Sequence, residues 1–250
     1  MLIAMLASIV VVIALYSIIN FTLNQEVRTN EIVQADQVGR TAMSGIIEEL
    51  HSSCTGVAPI QQPIGTLASP LEKSGPLSMW FISAYGDTES GAATLPEVTE
   101  HEIVWTSNEP SNTSKKLGTL TDYAFKSEST SKPPEWKFPS SLTVAEAKKT
   151  PNKVTVLAKD VIPNEINTVP TIFQYYKYKN GALVTTTPST SAAEAEDVAK
   201  VTIGFSQAST GGGLGSTSGG DTRTGRTASF SDSVVLRLDP TATGSEGPCE

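Results

Sequence analysis

Apolar side chains fill the first nineteen positions almost without a break: Leu2, Ile3, Leu6, Ile9, Val10, Val11, Val12, Ile13, Leu15, Ile18 and Ile19 dominate, interrupted by Ser8 and Ser17. No charged side chain occurs between Met1 and Gln25. A helix of about nineteen residues rises roughly 28 Å, close to the hydrocarbon thickness of a bilayer. Each Leu, Ile or Val near the centre favours insertion by about 0.3 to 0.6 kcal/mol, so the eleven present favour it by roughly 5 kcal/mol. Two serines do not reverse that balance. No Lys or Arg precedes the run and no small-residue cleavage site follows it, so an uncleaved anchor is expected rather than a removed signal peptide.

The pattern then changes period without a proline. Ala35, Val38, Ala42, Ile46 and Leu50 recur at spacings of three and four, with Met43 and Ile47 widening the stripe. Gln34, Asp36, Gln37, Arg40, Glu48 and Glu49 occupy the other side. This is an amphipathic helix. Gly39 and Gly45 each weaken it by about 1 kcal/mol relative to alanine. One helix running from the start to about residue 52 would be roughly 80 Å long. Pro59, Pro63 and Pro70 mark the following stretch as a loop.

Eight strand candidates follow: Leu77–Ala84, Glu102–Thr106, Asp122–Lys126, Val154–Ala158, Thr171–Tyr178, Ala182–Thr186, Ala199–Ser206 and Ala228–Leu238. Alternation of apolar and polar positions, as in Val201, Ile203 and Phe205, predicts antiparallel sheets with one wet face. Asn180–Gly181 between two of them is a hairpin turn, because both positions tolerate positive φ. Strands do not alternate with amphipathic helices, so a parallel α/β domain is not expected. The fold class is therefore α+β. Its predicted parts are a transmembrane half-helix at residues 1–24, an amphipathic half at 25–53, a loop at 54–76 and a β domain at 77–250. Within that domain, flexible loops are expected at 127–141 and 209–226.

A net charge of −8 with no basic cluster excludes nucleic acid as a direct partner. Between Glu26 and Leu50, five acids face two bases, Arg28 and Arg40; this scarcity of bases places the large C-terminal part outside the cytoplasm. Cys54 and Cys249 are too few for a disulfide scaffold and lack metal-ligand spacing. In an oxidising compartment they would join the helix end to the tail; two independent free thiols are the alternative.

The opening helix, through Gln37-Val38-Gly39-Arg40 to Ile46-Ile47-Glu48-Glu49-Leu50, resembles the type IV pilin and type II secretion pseudopilin family. Val156–Val161, Phe173–Tyr176, Asp197–Ile203 and Val234–Leu238 look like the segment order of J-type minor pseudopilins and related minor pilins. The resemblance implies a pilin-like fold, a long helix packed on an antiparallel sheet. It implies a non-enzymatic subunit that primes or caps a filament, anchored in the inner membrane before assembly. Its partners would be the lipid bilayer, other pseudopilins or minor pilins, and the inner-membrane assembly platform. Leu2, Ile3, Leu6, Ile9, Val10, Val12, Ile13, Leu15, Ile18 and Ile19 would anchor the subunit and pack in the filament. Ala35, Val38, Ala42, Ile46 and Leu50 would pack the helix on the sheet. The family opens with a basic leader, a Gly–Phe cleavage point and a glutamate at the fifth mature position. Met1 aligns just after that glutamate, so a leader and first residues upstream are expected.

Motifs for chemistry point elsewhere. Gly211-Gly212-Gly213-Leu214-Gly215 lacks the Lys-Ser/Thr of a phosphate-binding loop, and His101-Glu102 lacks the second histidine of a zinc protease. Neither a nucleophile elbow nor a calcium loop occurs. No cofactor or metal is expected. The rival reading is a membrane-anchored extracytoplasmic hydrolase or carbohydrate-binding β domain, with Trp80, Trp105 and Trp136 lining a groove. Core packing is the competing fate of those tryptophans.

Overall fold

A computed structural model describes residues 2–53, 60–62, 65–67, 70–83, 99–108, 117–126, 151–190, 194–195, 197–209 and 227–236. Cys54, Cys249, Trp136 and, apart from Ser209, the loops expected at 127–141 and 209–226 lie outside the described residues.

One helix, α1 (Leu2–His51), takes up the first 50 described residues and is about 75 Å long. It passes through residues 20–30 unbroken, joining the uncharged segment to the amphipathic one. The sequence permits this because the first proline is Pro59 and the first glycine is Gly39. Three hydroxyls fold back onto carbonyls one turn earlier: Thr22 on Ile18, Thr29 on Gln25 and Thr41 on Gln37, at 2.8–2.9 Å. Each hydroxyl is thereby satisfied within the helix. The last turn tightens as Ser52 N–H bonds to Glu49 O and Ser53 N–H to Leu50 O.

The segment expected as a loop at 54–76 contains two three-residue strands, β1 (Ile60–Gln62) and β2 (Gly65–Leu67), paired antiparallel, and a 3-10 turn at Pro70–Lys73. Pro70 opens that turn, where its missing N–H costs nothing, and Leu71 then enters the core.

The sheet is antiparallel throughout. Its strands are β3 (Ser78–Ser83), β4 (Thr99–Ser107), β5 (Gly118–Lys126), β6 (Lys153–Ile166), β7 (Val169–Thr171), β8 (Phe173–Lys179), β9 (Ala182–Thr186), β10 (Val198–Ala208) and β11 (Thr227–Val235). The order is β3-β4-β5-β6-β10-β8-β9, with β11 also on β10 and β7 on β6. The strand candidates overlap strands, but Thr171–Tyr178 is divided between β7 and β8, Ala84 and residues 237–238 lie outside the described residues, and β6 runs to 14 residues where five were expected. The register explains the difference. Gly118 opposes Val161, Leu120 opposes Ala158 and Thr121 opposes Val156, so β6 carries two extra residues against β5. Asp160, at φ 57°, sits in this bulged stretch. The bulges interrupt the period-two pattern and bend β6 from β5 towards β10. Asn180 and Gly181 form the β8–β9 turn at φ 53° and 78°, as the sequence predicts. Asn167 and Thr168 form an equivalent turn at φ 52° and 67°, unforeseen because threonine rarely takes that conformation.

One face of the sheet buries Met79, Phe81, Ile103, Trp105, Leu120, Val161, Phe173, Tyr175, Val201, Ile203, Phe205 and Val234 against Ala42, Met43, Ile46 and Leu50 of α1. The polar tips of its large aromatics find backbone partners: Trp105 Nε1 donates to Val161 O at 3.0 Å and Tyr175 hydroxyl to Ser78 O at 3.1 Å. The same burial holds the Tyr175 hydroxyl far above the usual tyrosine range. A smaller cluster joins Trp80 and Phe125, stacked at 6.2 Å, with Lys73 Nζ 4.4 Å over the Trp80 ring.

Candidate functional site: an exposed helix and its seat

The two halves of α1 have opposite surroundings. From Ser8 to Val27 every side chain is exposed. Ile9, Val10, Val12, Ile13, Leu15, Ile18 and Ile19 are each more than half exposed, as is Ile3. Leu2 and Leu6 belong to the same helix, but their side chains lie outside the described residues. Among the described residues α1 is the one helix long and apolar enough to cross a membrane.

Over its second half the helix rests on β11, β10, β6 and β3. Ala35, Ala42, Ile46 and Leu50 are buried there, together with Met43 and Gly39. Val38 departs from its expected role, being 37 % exposed. At 100° per residue the buried set covers an arc of about 100°, and Val38 falls about 40° outside it. The arc is turned towards Gly39, where the ring of Phe230 on β11 meets the helix. A Cβ on residue 39 would stand 2.1 Å from the Phe230 ring. The residue that weakens the helix locally is thus the one that lets the strand approach it. Val38 instead stands at the rim of an open groove of about 360 Å³ beside Gln34, Val156 and Leu157.

A polar cluster closes the far end of the seat. His101 on β4 is 6 % exposed and lies opposite Phe81, whose ring stacks on it at 5.2 Å. Its Nδ1 lies 3.1 Å from both carboxylate oxygens of Asp122 on β5. Its Nε2 is 3.8 Å from Glu49 Oε2 on the last turn of α1. Ser83 Oγ of β3 donates to the same Glu49 oxygen at 3.2 Å, and Ser53 pairs with Ser83 through a backbone bridge. Burial draws the His101 pKa down, but the Asp122 hydrogen bond and the Asp122 and Glu49 charges outweigh it and Lys153, leaving it raised.

In the sequence His101 stands beside Glu102 without the second histidine of a zinc motif, and nothing there marks its partners. Asp122 is 21 residues away and Glu49 is on α1, so strand register and the end of the helix bring the three together. The residue types of a hydrolase triad meet here, yet Ser83 donates to Glu49 rather than to His101. Both imidazole nitrogens face carboxylates, so no nucleophile–base hydrogen bond is formed.

On the other side of β4, Glu100 is fully buried with Lys73 Nζ at 3.4 Å, and burial, opposed by Lys73, holds its carboxyl above the usual range. Trp80 and Trp105, proposed as groove residues, are both core residues. The chain matches no protein-family model, no curated protein and no solved structure.

Proposed function

We propose that this protein is a minor pilin or minor pseudopilin, a non-enzymatic subunit that primes or caps a filament. The observation that carries the reading is the unbroken passage of α1 from an uncharged, fully exposed segment into a buried seat on the sheet. A plain tether ends in a linker rich in Gly, Ser or Pro before its domain begins. Here the rod itself enters the domain, so the sheet's position is fixed relative to the apolar segment.

In this reading the first half of α1 stores the subunit in the inner membrane, with the sheet domain outside the cytoplasm. Ala35, where the seat begins, stands about 15 Å along the helix from Gln25, enough to clear the headgroup layer. On assembly, neighbouring apolar helices replace lipid around Ile9, Val12 and Leu15. The sheet then presents partner-specific surfaces to other minor subunits.

The double variant Ile9→Asp/Val12→Asp tests this. Two central aspartates oppose insertion by about 5–7 kcal/mol, enough to cancel the roughly 5 kcal/mol that favours it. Expected is loss of the full chain from the membrane fraction and from sheared filaments, while a cysteine at Val12 of the otherwise native chain cross-links to another apolar helix in assembled material. Normal filaments from the aspartate variant would overturn the proposal. So would a Val12 cysteine that never cross-links although the chain stays in the membrane; that result would leave a tethered domain.

A further inference from the structure

We propose that Glu49, His101 and Asp122 form a pH-sensitive clasp that holds the C-terminal end of α1 on the sheet while His101 is charged and loosens it when the proton leaves. The inference is independent of the filament reading, because it concerns only the attachment of the helix end.

The geometry gives the switch a direction. Asp122 accepts from Nδ1 with both oxygens at 3.1 Å, so that nitrogen keeps its hydrogen in either charge state. The proton that leaves is therefore the one on Nε2, the atom facing Glu49 at 3.8 Å. Its loss preserves the bond within the sheet and turns the contact with the helix into a lone pair opposite a carboxylate. Glu49 needs a cation at this place for a second reason. It lies in the last turn of α1, where the helix dipole already disfavours negative charge. What remains on Glu49 after the switch is the hydrogen bond from Ser83.

The charged groups that face His101 are Glu49 from α1, Asp122 from β5 and Lys153 from β6. β3 contributes only the Phe81 ring and Ser83. Two carboxylates against one ammonium leave the imidazolium favoured. Its folded pKa lies above its ordinary value, so the clasp is fully present below about pH 6.5 and is lost as pH rises through the folded value.

The test uses the full chain in detergent micelles. His51 and His101 are the two histidines, so 13C-labelled histidine gives two ring signals, and His51→Gln identifies them. The His101 signal is expected to titrate above about 6.5. In the same pH window, hydrogen exchange corrected for intrinsic rates should show the backbone around residues 47–53 opening more often. The opening constant rises by up to tenfold per pH unit, the limit for one linked proton. Glu49→Gln removes this excess pH dependence, as does His101→Gln. Should His101→Gln not fold, Glu49→Gln, at the margin of the seat, decides alone. Titration of His101 at or below about 6.5, or a helix-end opening with the same pH course in wild type and Glu49→Gln, would overturn the proposal.

Discussion

The two halves of α1 share one backbone geometry and differ in what their apolar side chains meet. Residues 8–27 are exposed all round, whereas residues 35–50 bury one arc and wet the rest. Keeping a Val, Leu or Ile side chain in water forgoes about 1.5–3 kcal/mol relative to burial. Eight such residues between Ile9 and Ile19 would therefore outweigh the usual net stability of a domain of about 5–15 kcal/mol. Among the described residues nothing covers that half, which is long and apolar enough to cross a membrane, while the second half carries its partner within the same chain.

The strongest way to break this contrast is to make the same kind of cut in each half. Ile46→Ala removes a side chain that is 1 % exposed from the centre of the seat and should lower sheet-domain stability by about 2–5 kcal/mol. Ile18→Ala, in the exposed half, should leave the unfolding transition of that domain where it is. Near-UV circular dichroism in micelles reads both, through buried Trp80 and Trp105. Equal losses would mean that the first half also folds back on the sheet.

Gly39 offers a finer cut. Alanine improves helix propensity by about 1 kcal/mol, yet its Cβ would meet the Phe230 ring at 2.1 Å. Overpacking of this kind costs about 1–3 kcal/mol, so Gly39→Ala should be net destabilising. Adding Phe230→Ala should recover part of the loss, giving a favourable coupling in a double-mutant cycle by urea denaturation. A Gly39→Ala variant more stable than wild type would place Phe230 away from the helix.

The apolar head and the amphipathic stripe were legible in the sequence because each declares its period over many residues. Strand positions were legible where apolar and polar residues alternate, as from Val201 to Phe205, and less so in β4, whose buried side chains include Glu100, His101 and Glu102. Acids and a histidine read as surface until the partners across the sheet are known. The length of β6 was hidden by its bulges, and the hairpin β1–β2 by the prolines around it. The clasp was illegible for a different reason: Glu49, His101 and Asp122 have no fixed spacing, only a shared place set by register and by where the helix ends. Gly39 carries a signal, a glycine inside a helical stripe, which reads as a local weakness until Phe230 is seen against it.

Val38 gives the smallest effect and the sharpest measure of how the helix is rotated. The three-and-four spacing counts it with Ala35 and Ala42, whereas its 37 % exposure places it outside the buried arc. Truncation to alanine removes two methyl groups, each worth about 0.8 kcal/mol if fully buried, and partial exposure brings the expected loss below about 1 kcal/mol. Ala42→Gly removes one fully buried methyl and forfeits about 1 kcal/mol of helix propensity, so it should cost more despite the smaller deletion. Measured by urea midpoint in the same micelles, that order distinguishes two rotations of one helix about 30° apart. If Val38→Ala proved the costlier change, the buried arc would be turned to take in Val38, and the seat would have to be rebuilt around the groove at Val156.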